Sequence, residues 1–332
     1  MQVRFVEFGR GYRAIKDEID NAMQKVLSDG QLILRQSVED FEESLAQYVG
    51  TKYAIGVASG TDALFLSLKV AGIQPGDKVL IPSYTFRATA EAAKHAGGVP
   101  VLYDLDGPTF TDDIKFWIPA HIAGKVDMTD EQVMEAKSKG IIIIEDACQA
   151  IGAAPIRGET ACYSFYPAKI LGCYGDGGAI ATNNERFAYE LKIMRNHYKN
   201  DWKPYGWNSR LDNLQAEVLN VKIKKLPEYI ARRKEIAEKY DAGLANTGIT
   251  LPEKREVYQD YIITLPMRDE LHDFLKEAGI ETMKDGYPFP EELKKCGLTE
   301  WYEEHSLRLP CTPEHLNEEI DYVIEKINAF TK

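Results

Sequence analysis

The sequence has 332 residues, of which 44% are hydrophobic, and a formal net charge of −12 at pH 7. This length predicts two domains, or one large domain with an appendage, and the composition excludes a disordered chain. The acidic balance disfavours nucleic acid and anionic membranes as partners, and no apolar run is long enough to cross a bilayer. The first residues, MQVRFVE, lack the features of a signal peptide, so we expect a cytoplasmic protein.

Cysteine usage points to the same compartment. The count is odd and CxxC spacing does not occur, so free thiols explain the cysteines better than disulfides or a zinc site. We therefore expect no metal centre. The five residues are Cys148, Cys162, Cys173, Cys296 and Cys311.

The first half of the chain changes from a helical pattern to alternating strands and helices. Apolar residues recur at helical spacing over 12–28, which predicts one amphipathic helix. Strands are predicted at 53–58, 78–81, 99–103, 118–122, 141–144, 162–165 and 178–182. The run Ile141–Ile144 has no polar alternation, which is typical of a strand buried on both faces in a mainly parallel sheet. The pattern predicts an α/β fold with helices on both faces of the sheet.

After about residue 208 the pattern becomes mainly helical. Helices are predicted near 214–226, 228–244 and 317–330, with short strands near 258–265. We expect a large domain over residues 1–224, including the N-terminal helix, and a smaller α+β domain over residues 225–332.

Three candidate sites follow predicted strands, at the end where open α/β sheets bind ligands. The first is SGTDA at 59–63, just before a helix. A small residue, a glycine and a hydroxyl at a helix N-terminus predict an anion site, because backbone N–H groups point outward there and the helix dipole favours negative charge. An ordinary capped turn with Asp62 in the first turn explains the same residues.

The second candidate site is the carboxylate pair Glu145 and Asp146, directly after the isoleucine run. Carboxylates at the end of a buried strand are costly unless a cationic group meets them. Two interpretations remain open from the residues alone. One is a capped helix start, and the other is a carboxylate that holds a proton on a ligand nitrogen.

The third candidate site is Lys169, which lies between a predicted strand and a glycine-rich stretch. Glycines allow close backbone approach to a ligand and tight packing around the lysine, whereas a lone lysine after a strand is usually a surface residue. No GxGxxG or GxxxxGK[ST] pattern is present, so nucleotide-binding motifs of those kinds are unsupported. The glycines are Gly172, Gly175, Gly177 and Gly178.

Eight stretches, in this order, resemble the DegT/DnrJ/EryC1/StrS family of sugar aminotransferases. They are VEDFEE at 38–43, GVASGTDAL at 56–64, PSYTF at 82–86, HIAG at 121–124, EDACQAIGA at 145–153, SFYPAK at 164–169, GDGG at 175–178 and NSRLDNLQA at 208–216. Each fragment is weak, but eight in register identify the chain as similar to this family. The resemblance implies the type I aminotransferase fold, with a mainly parallel seven-stranded sheet and a small C-terminal domain.

The resemblance also implies pyridoxal 5′-phosphate as cofactor and assigns roles around its ring. Lys169 matches the lysine that bonds to the cofactor, and Asp146 matches the carboxylate that faces the pyridine nitrogen. Gln149 matches a glutamine beside the ring. Phe86 matches the aromatic residue that stacks on it.

Further matches concern the cofactor phosphate and a second subunit. Backbone groups of Thr61 and Asp62, with the Ser164 hydroxyl, match phosphate ligands. Asn208 matches an asparagine that reaches the phosphate from a partner subunit, so we expect a homodimer with shared active sites. Arg210 stands where the family has an arginine near the site, and we expect it to bind substrate.

The resemblance implies transamination of a keto-sugar, linked to a nucleotide, with glutamate as the amino donor. The segment 59–64 with Thr85 and Phe86 resembles members that aminate carbon 3 rather than carbon 4. One alternative is sugar dehydration, in which relatives replace the lysine by histidine, so Lys169 argues against it. The other is a non-catalytic sensor or scaffold with this fold.

Two departures from the family affect the expected sugar pocket. The stretch between Tyr103 and Ile118 is short where relatives usually have a helix. The chain continues Glu-Glu-Leu after Pro290, where many relatives place a histidine.

Overall fold

The computed structural model describes residues 1–199, 205–287, 289, 293–294 and 296–331. Seven strands form its central sheet: β1 (Tyr53–Val57), β2 (Lys78–Pro82), β3 (Val99–Tyr103), β4 (Ile114–Trp117), β5 (Ile142–Asp146), β6 (Thr160–Ser164) and β7 (Gly178–Thr182). Their order is β1-β7-β6-β5-β4-β2-β3, and only the two pairs that include β7 are antiparallel. The mainly parallel sheet confirms the predicted α/β class.

Helices cover both faces of this sheet. They are α1 (Phe8–Ala14), α2 (Lys16–Asp29), α3 (Gln36–Val49), α4 (Gly60–Val70), α5 (Ala88–His95), α6 (Asp130–Ser138), α7 (Glu185–Met194) and α8 (Asn213–Lys222). Neighbouring strand residues join different cores: Ala54 packs with α2, α3 and α8, whereas Ile55 packs with α4, α5 and α7. Within the part of the chain that the structure describes, no helix is both long and apolar enough to span a bilayer.

The C-terminal part has its own sheet and core. It comprises α9 (Leu226–Leu244), β8 (Tyr261–Thr264), α10 (Arg268–Glu277), β9 (Met283–Lys284), α11 (Gly297–His305), β10 (Ser306–Leu309) and α12 (Asn317–Phe330). The three strands are antiparallel in the order β8-β10-β9. Tyr240, Tyr261 and Leu307 are fully buried in this core, which also takes up Val3 from the N-terminal segment. The predicted boundary at residues 224 and 225 stays a prediction.

Two predicted elements differ from the structure. The strand predicted at 118–122 is wrong, because β4 ends at Trp117 and Ala120 makes only an isolated bridge to Asp146. Pro119 has no N–H to donate, and a 3-10 turn follows over Ile122–Gly124. The helix predicted over 12–28 is split into α1 and α2 at Ile15, whose backbone is non-helical.

The two departures from the family pattern have different outcomes. Residues 104–113 contain turns and no helix, which agrees with the short stretch expected there. The segment 290–292, where relatives place a histidine, lies outside the described residues.

One edge of the sheet gathers the candidate sites. β1, β5 and β6 end there, and β7 begins there, so that Gly178 pairs with both Val57 and Ser164. A Cβ on Gly178 would lie 2.3 Å from the Ser59 carbonyl, so only glycine lets α4 begin this close to β7.

A buried ion pair links α3 to the sheet and to the end of α7. Arg195 Nη1 donates to Glu42 Oε1 and to Gly56 O, the latter at 2.5 Å. Gly56 N donates to the same Glu42 oxygen at 2.8 Å. Both charged side chains are less than a tenth exposed, so the Arg195 charge depends on Glu42 for compensation.

We expect Glu42→Gln to lower the free energy of unfolding by about 3 kcal/mol or more, because Arg195 would keep a buried charge without its counter-ion. Urea unfolding of the cofactor-free protein measures this loss. Glu43→Gln, on the exposed face of the same helix, should change it by less than about 0.5 kcal/mol. Equal unfolding midpoints for the two variants would contradict the expectation.

Candidate active site

A cavity of about 460 Å³ lies at this edge of the sheet, between the sheet and the C-terminal part. The structure brings six of the nine predicted site residues to its walls: Thr61, Phe86, Asp146, Gln149, Ser164 and Lys169. They come from four separate segments of the chain. These segments therefore meet at one cavity, as the order of the strands requires.

Lys169 lies in the loop after β6, with its half-buried side chain at the cavity. Burial lowers the pKa of its ammonium group, and the negative charges of Asp260 and Asp146 oppose this shift only in part. Its Nζ donates no hydrogen bond to any described residue. The amine is therefore unpaired and biased toward the neutral form that nucleophilic chemistry requires.

Asp146, the last residue of β5, is held by two hydrogen bonds. Its Oδ2 accepts from Thr89 Oγ1 at 2.8 Å, and its Oδ1 accepts from Cys148 N at 3.3 Å. Thr89 is itself oriented by Thr85 Oγ1 at 2.8 Å. A carboxylate has about four acceptor positions, so Asp146 keeps capacity for an N–H of a ligand in the cavity.

Glu145 has a different role from its neighbour. Its Oε1 accepts from Arg157 N at 2.5 Å and from Gly158 N at 2.6 Å, and its Oε2 lies 3.2 Å from His121 Nε2. Burial raises its pKa, but these hydrogen bonds outweigh burial and lower the pKa overall. His121 Nδ1 accepts from Asp127 N at 3.0 Å, which leaves the histidine proton on Nε2. Glu145 is thus fully bound within the protein.

The start of α4 and the end of β6 form a cradle at one end of the cavity. Ser59 Oγ accepts from Asp62 N at 3.1 Å and caps the helix. The N–H groups of Gly60 and Thr61 have no acceptor within the helix, and both residues line the cavity. A Cβ on Gly60 would lie 2.8 Å from Ser164 Cβ, so glycine keeps the two segments together. This cradle fits a phosphate.

Three predicted residues do not line the cavity of their own chain. Asp62 donates its N–H to Ser59, and its Oδ2 accepts from Ser209 Oγ at 2.6 Å. Asn208 is exposed. Arg210 Nη1 donates to Asn196 Oδ1 at 3.0 Å.

The sequence predictions did not include a charged cluster on the wall of the cavity that the C-terminal part of the chain forms. Arg308 on β10 is buried and donates to Asp260, to Tyr287 and to Asp285 Oδ1, the last at 2.7 Å from Nη2. From the opposite wall, Phe86 meets Tyr287 edge to face, with ring centroids 5.6 Å apart. These residues belong to separate segments without a motif, so no local pattern could have indicated them.

Comparisons with known proteins agree with this arrangement. The model of the DegT/DnrJ/EryC1/StrS aminotransferase family matches residues 13–328. A protein of Geobacillus stearothermophilus described as a pleiotropic regulatory protein is 35% identical over 369 residues and covers 99% of each chain. The UDP-2-acetamido-2-deoxy-3-oxo-D-glucuronate aminotransferase of Pseudomonas aeruginosa is 37% identical and covers 87% of each chain.

A solved structure extends the likeness to the whole fold. The crystal structure of S. venezuelae DesV in complex with a ketimine intermediate superposes with a TM-score of 0.91 at 32% identity. The match covers 100% of this chain and 99% of that one. The chain belongs to the DegT/DnrJ/EryC1/StrS aminotransferase family and is a pyridoxal-phosphate-dependent enzyme of the type I aminotransferase fold.

Proposed function

We propose that the protein transfers the amino group of glutamate to carbon 3 of a nucleotide-linked keto-sugar in the cytoplasm. One observation carries the proposal: the unpaired amine of Lys169 shares a cavity with Asp146 and with the open N-terminus of α4. A lysine, a carboxylate and a phosphate cradle are the groups that this cofactor needs. The P. aeruginosa relative, which is named for a 3-oxo sugar, supports carbon 3.

The residues around the cavity divide the binding of the cofactor among them. The N–H groups of Gly60 and Thr61 and the Ser164 hydroxyl bind its phosphate. Phe86 and Gln149, which line the same cavity, would hold its ring. These residues would hold the cofactor in the cavity that also contains the Lys169 amine.

Lys169 and Asp146 perform the proton chemistry. Pyridoxal phosphate, when bound, supplies a ring that withdraws electrons from the substrate carbon. Asp146 holds a proton on the pyridine nitrogen through its carboxylate oxygens. With the cofactor bound, Lys169 Nζ would be the base that accepts the proton from the substrate carbon and later returns it. A lowered pKa favours this role, because the amine must be neutral to accept a proton.

We also propose that Asn208 and Arg210 act in the active site of a partner subunit. Asn208 is exposed and neither residue lines its own cavity. Phe86 and Tyr166 line the cavity yet are 50% and 55% exposed, as expected for apolar side chains that a second copy of the chain covers.

The wild-type protein should convert a 3-keto nucleotide sugar with glutamate as donor, and Lys169→Ala should abolish this conversion while still retaining cofactor through the phosphate contacts. A panel of 3-keto and 4-keto nucleotide sugars, analysed by NMR, measures which ring carbon receives the amino group. An amino group found only on carbon 4 would contradict the carbon-3 proposal. No turnover in a cofactor-loaded protein would favour the sensor or scaffold alternative.

Asp146→Asn should lower kcat by about 100-fold or more, because an amide of nearly the same shape cannot stabilise the charged pyridine nitrogen. Steady-state kinetics measures kcat, and thermal unfolding shows that the fold is retained. Glu145→Gln is the matched control, since it disturbs the bonds to Arg157 N and Gly158 N and should lower stability rather than kcat. Normal turnover by Asp146→Asn would assign the task to another residue.

Mixed dimers should test the shared site. Asn208→Asp places a negative charge against the partner's cofactor phosphate and should be inactive, as is Lys169→Ala. A mixed dimer of these two variants contains one native site, so purified mixed dimers should recover about half of the wild-type activity.

Lys169→Ala mixed with Asp146→Asn is the control for this experiment. Both changes lie in one cavity, so every site in that mixture is defective. Recovery in this control, or none in the mixed dimer with Asn208→Asp, would contradict a site shared in the proposed way.

A further inference from the structure

The side chain of Gln259 bonds to the peptide groups on both sides of Lys169. Its Nε2 donates to Ala168 O at 2.9 Å, and its Oε1 accepts from Ile170 N at 3.1 Å. A carbonyl can only accept and an N–H can only donate, so these partners fix which end of the amide is which. One side chain thus holds the backbone immediately before and after the lysine.

Gln259 is itself held at both of its backbone groups. Its N–H donates to Ala123 O at 3.3 Å, and its carbonyl accepts from Arg233 Nη1 at 2.8 Å. The residue is 7% exposed, so water competes little for these bonds. The amide that contacts the lysine loop therefore starts from a fixed position.

The contact through Ala123 extends to the residue expected beside the cofactor ring. Ala123 N donates to Gln149 Oε1 at 2.8 Å, while Ala123 O accepts from Gln259. This turn has little freedom, because Ala123 has a positive φ of 55° and a Cβ on Gly124 would lie 2.1 Å from Val257 O. Gln259 therefore sets the Lys169 backbone relative to Gln149 through a short chain of contacts.

We propose that Gln259 is a positioning residue that fixes where the Lys169 amine stands relative to the bound cofactor, an inference that rests on the proposed role of Lys169. Apart from Gln259, the described residues make few hydrogen bonds to the peptide groups next to the lysine. Lys169 N donates to Tyr166 O at 2.8 Å. Lys169 itself lies five residues after Ser164, the last residue of β6. The Lys169 amine has no hydrogen bond to a described residue that would hold it in place, so the backbone of the lysine limits where the amine can stand. A displacement of about 1 Å at a reacting group can cost about 100-fold in rate.

Gln259→Met tests the proposal, because methionine keeps the length and volume of glutamine and loses both hydrogen bonds. Gln215→Met is the matched control. Gln215 also bonds to the backbone on this loop, accepting from Tyr174 N at 2.9 Å, but it does not line the cavity. If the side-chain amides that bond to this loop had only a structural role, the two substitutions would have the same effect.

The readout is cofactor attachment to the apoprotein rather than turnover. The neutral Lys169 amine condenses with the aldehyde of added pyridoxal phosphate, and one water molecule leaves. Stopped-flow absorbance should show this attachment slowed by about 10- to 100-fold in Gln259→Met and by less than about 2-fold in Gln215→Met. The dissociation constant of pyridoxamine phosphate, which has no aldehyde to condense, should stay within about 3-fold of wild type in both variants.

The possible outcomes separate this inference from the proposed function. Attachment at the wild-type rate in Gln259→Met would overturn the inference. A loss of pyridoxamine phosphate affinity as large as the loss of attachment rate would also overturn it, because it indicates a collapsed cavity. A wild-type protein that binds pyridoxamine phosphate but never attaches pyridoxal phosphate would overturn the proposed function itself. If Gln259→Met fails to fold, Gln259→Glu replaces it, because glutamate keeps the shape of glutamine and the acceptor for Ile170 N. This variant should still slow attachment, because its carboxylate would face the Ala168 carbonyl.

Discussion

The active site depends on the close approach of α4 to the first residue of β7. Gly178 pairs with the ends of β1 and β6 at once, and a Cβ at this position would overlap the Ser59 carbonyl. Because the side chain is absent, the N-terminus of α4 lies next to Ser164 and forms the cradle that we propose for a phosphate. Asp146, at the end of the neighbouring β5, then faces the same cavity. The direction of the strands and one glycine thus place the groups that we propose bind the cofactor.

The charged groups around the cavity differ in how far hydrogen-bond partners and counter-ions compensate them. Glu145 and Asp146 are adjacent, but two backbone amides and His121 engage Glu145, whereas Asp146 is left with acceptor capacity toward the cavity. Arg308 is compensated by two aspartates, so it adds no free positive charge to the wall. Lys169 has no such partner, and its amine responds to burial by a lowered pKa. Among the described residues that line the cavity, Lys169 thus has the amine without a hydrogen-bond partner, which fits the proposed transamination.

Much of the large sheet and its ligand edge could be predicted from the sequence, because strand runs such as Ile141–Ile144 and the segment around Ser59 are local signals. The strand at 118–122 was misplaced because Pro119 and the turn after it are as apolar as a strand. Gln259 and Arg308 could not be found, since each acts through long-range contacts and neither sits in a recognisable motif. The domain boundary and the roles of individual site residues stay predictions.

The central claim is that the amine of Lys169 is the group to which the cofactor bonds. Borohydride reduction of the holoenzyme, followed by proteolysis and mass spectrometry, tests it most directly, because reduction makes the bond between lysine and cofactor permanent. We predict a single phosphopyridoxyl label on the peptide that contains Lys169. A label on another lysine, or none in a protein that has bound the cofactor, would contradict the account.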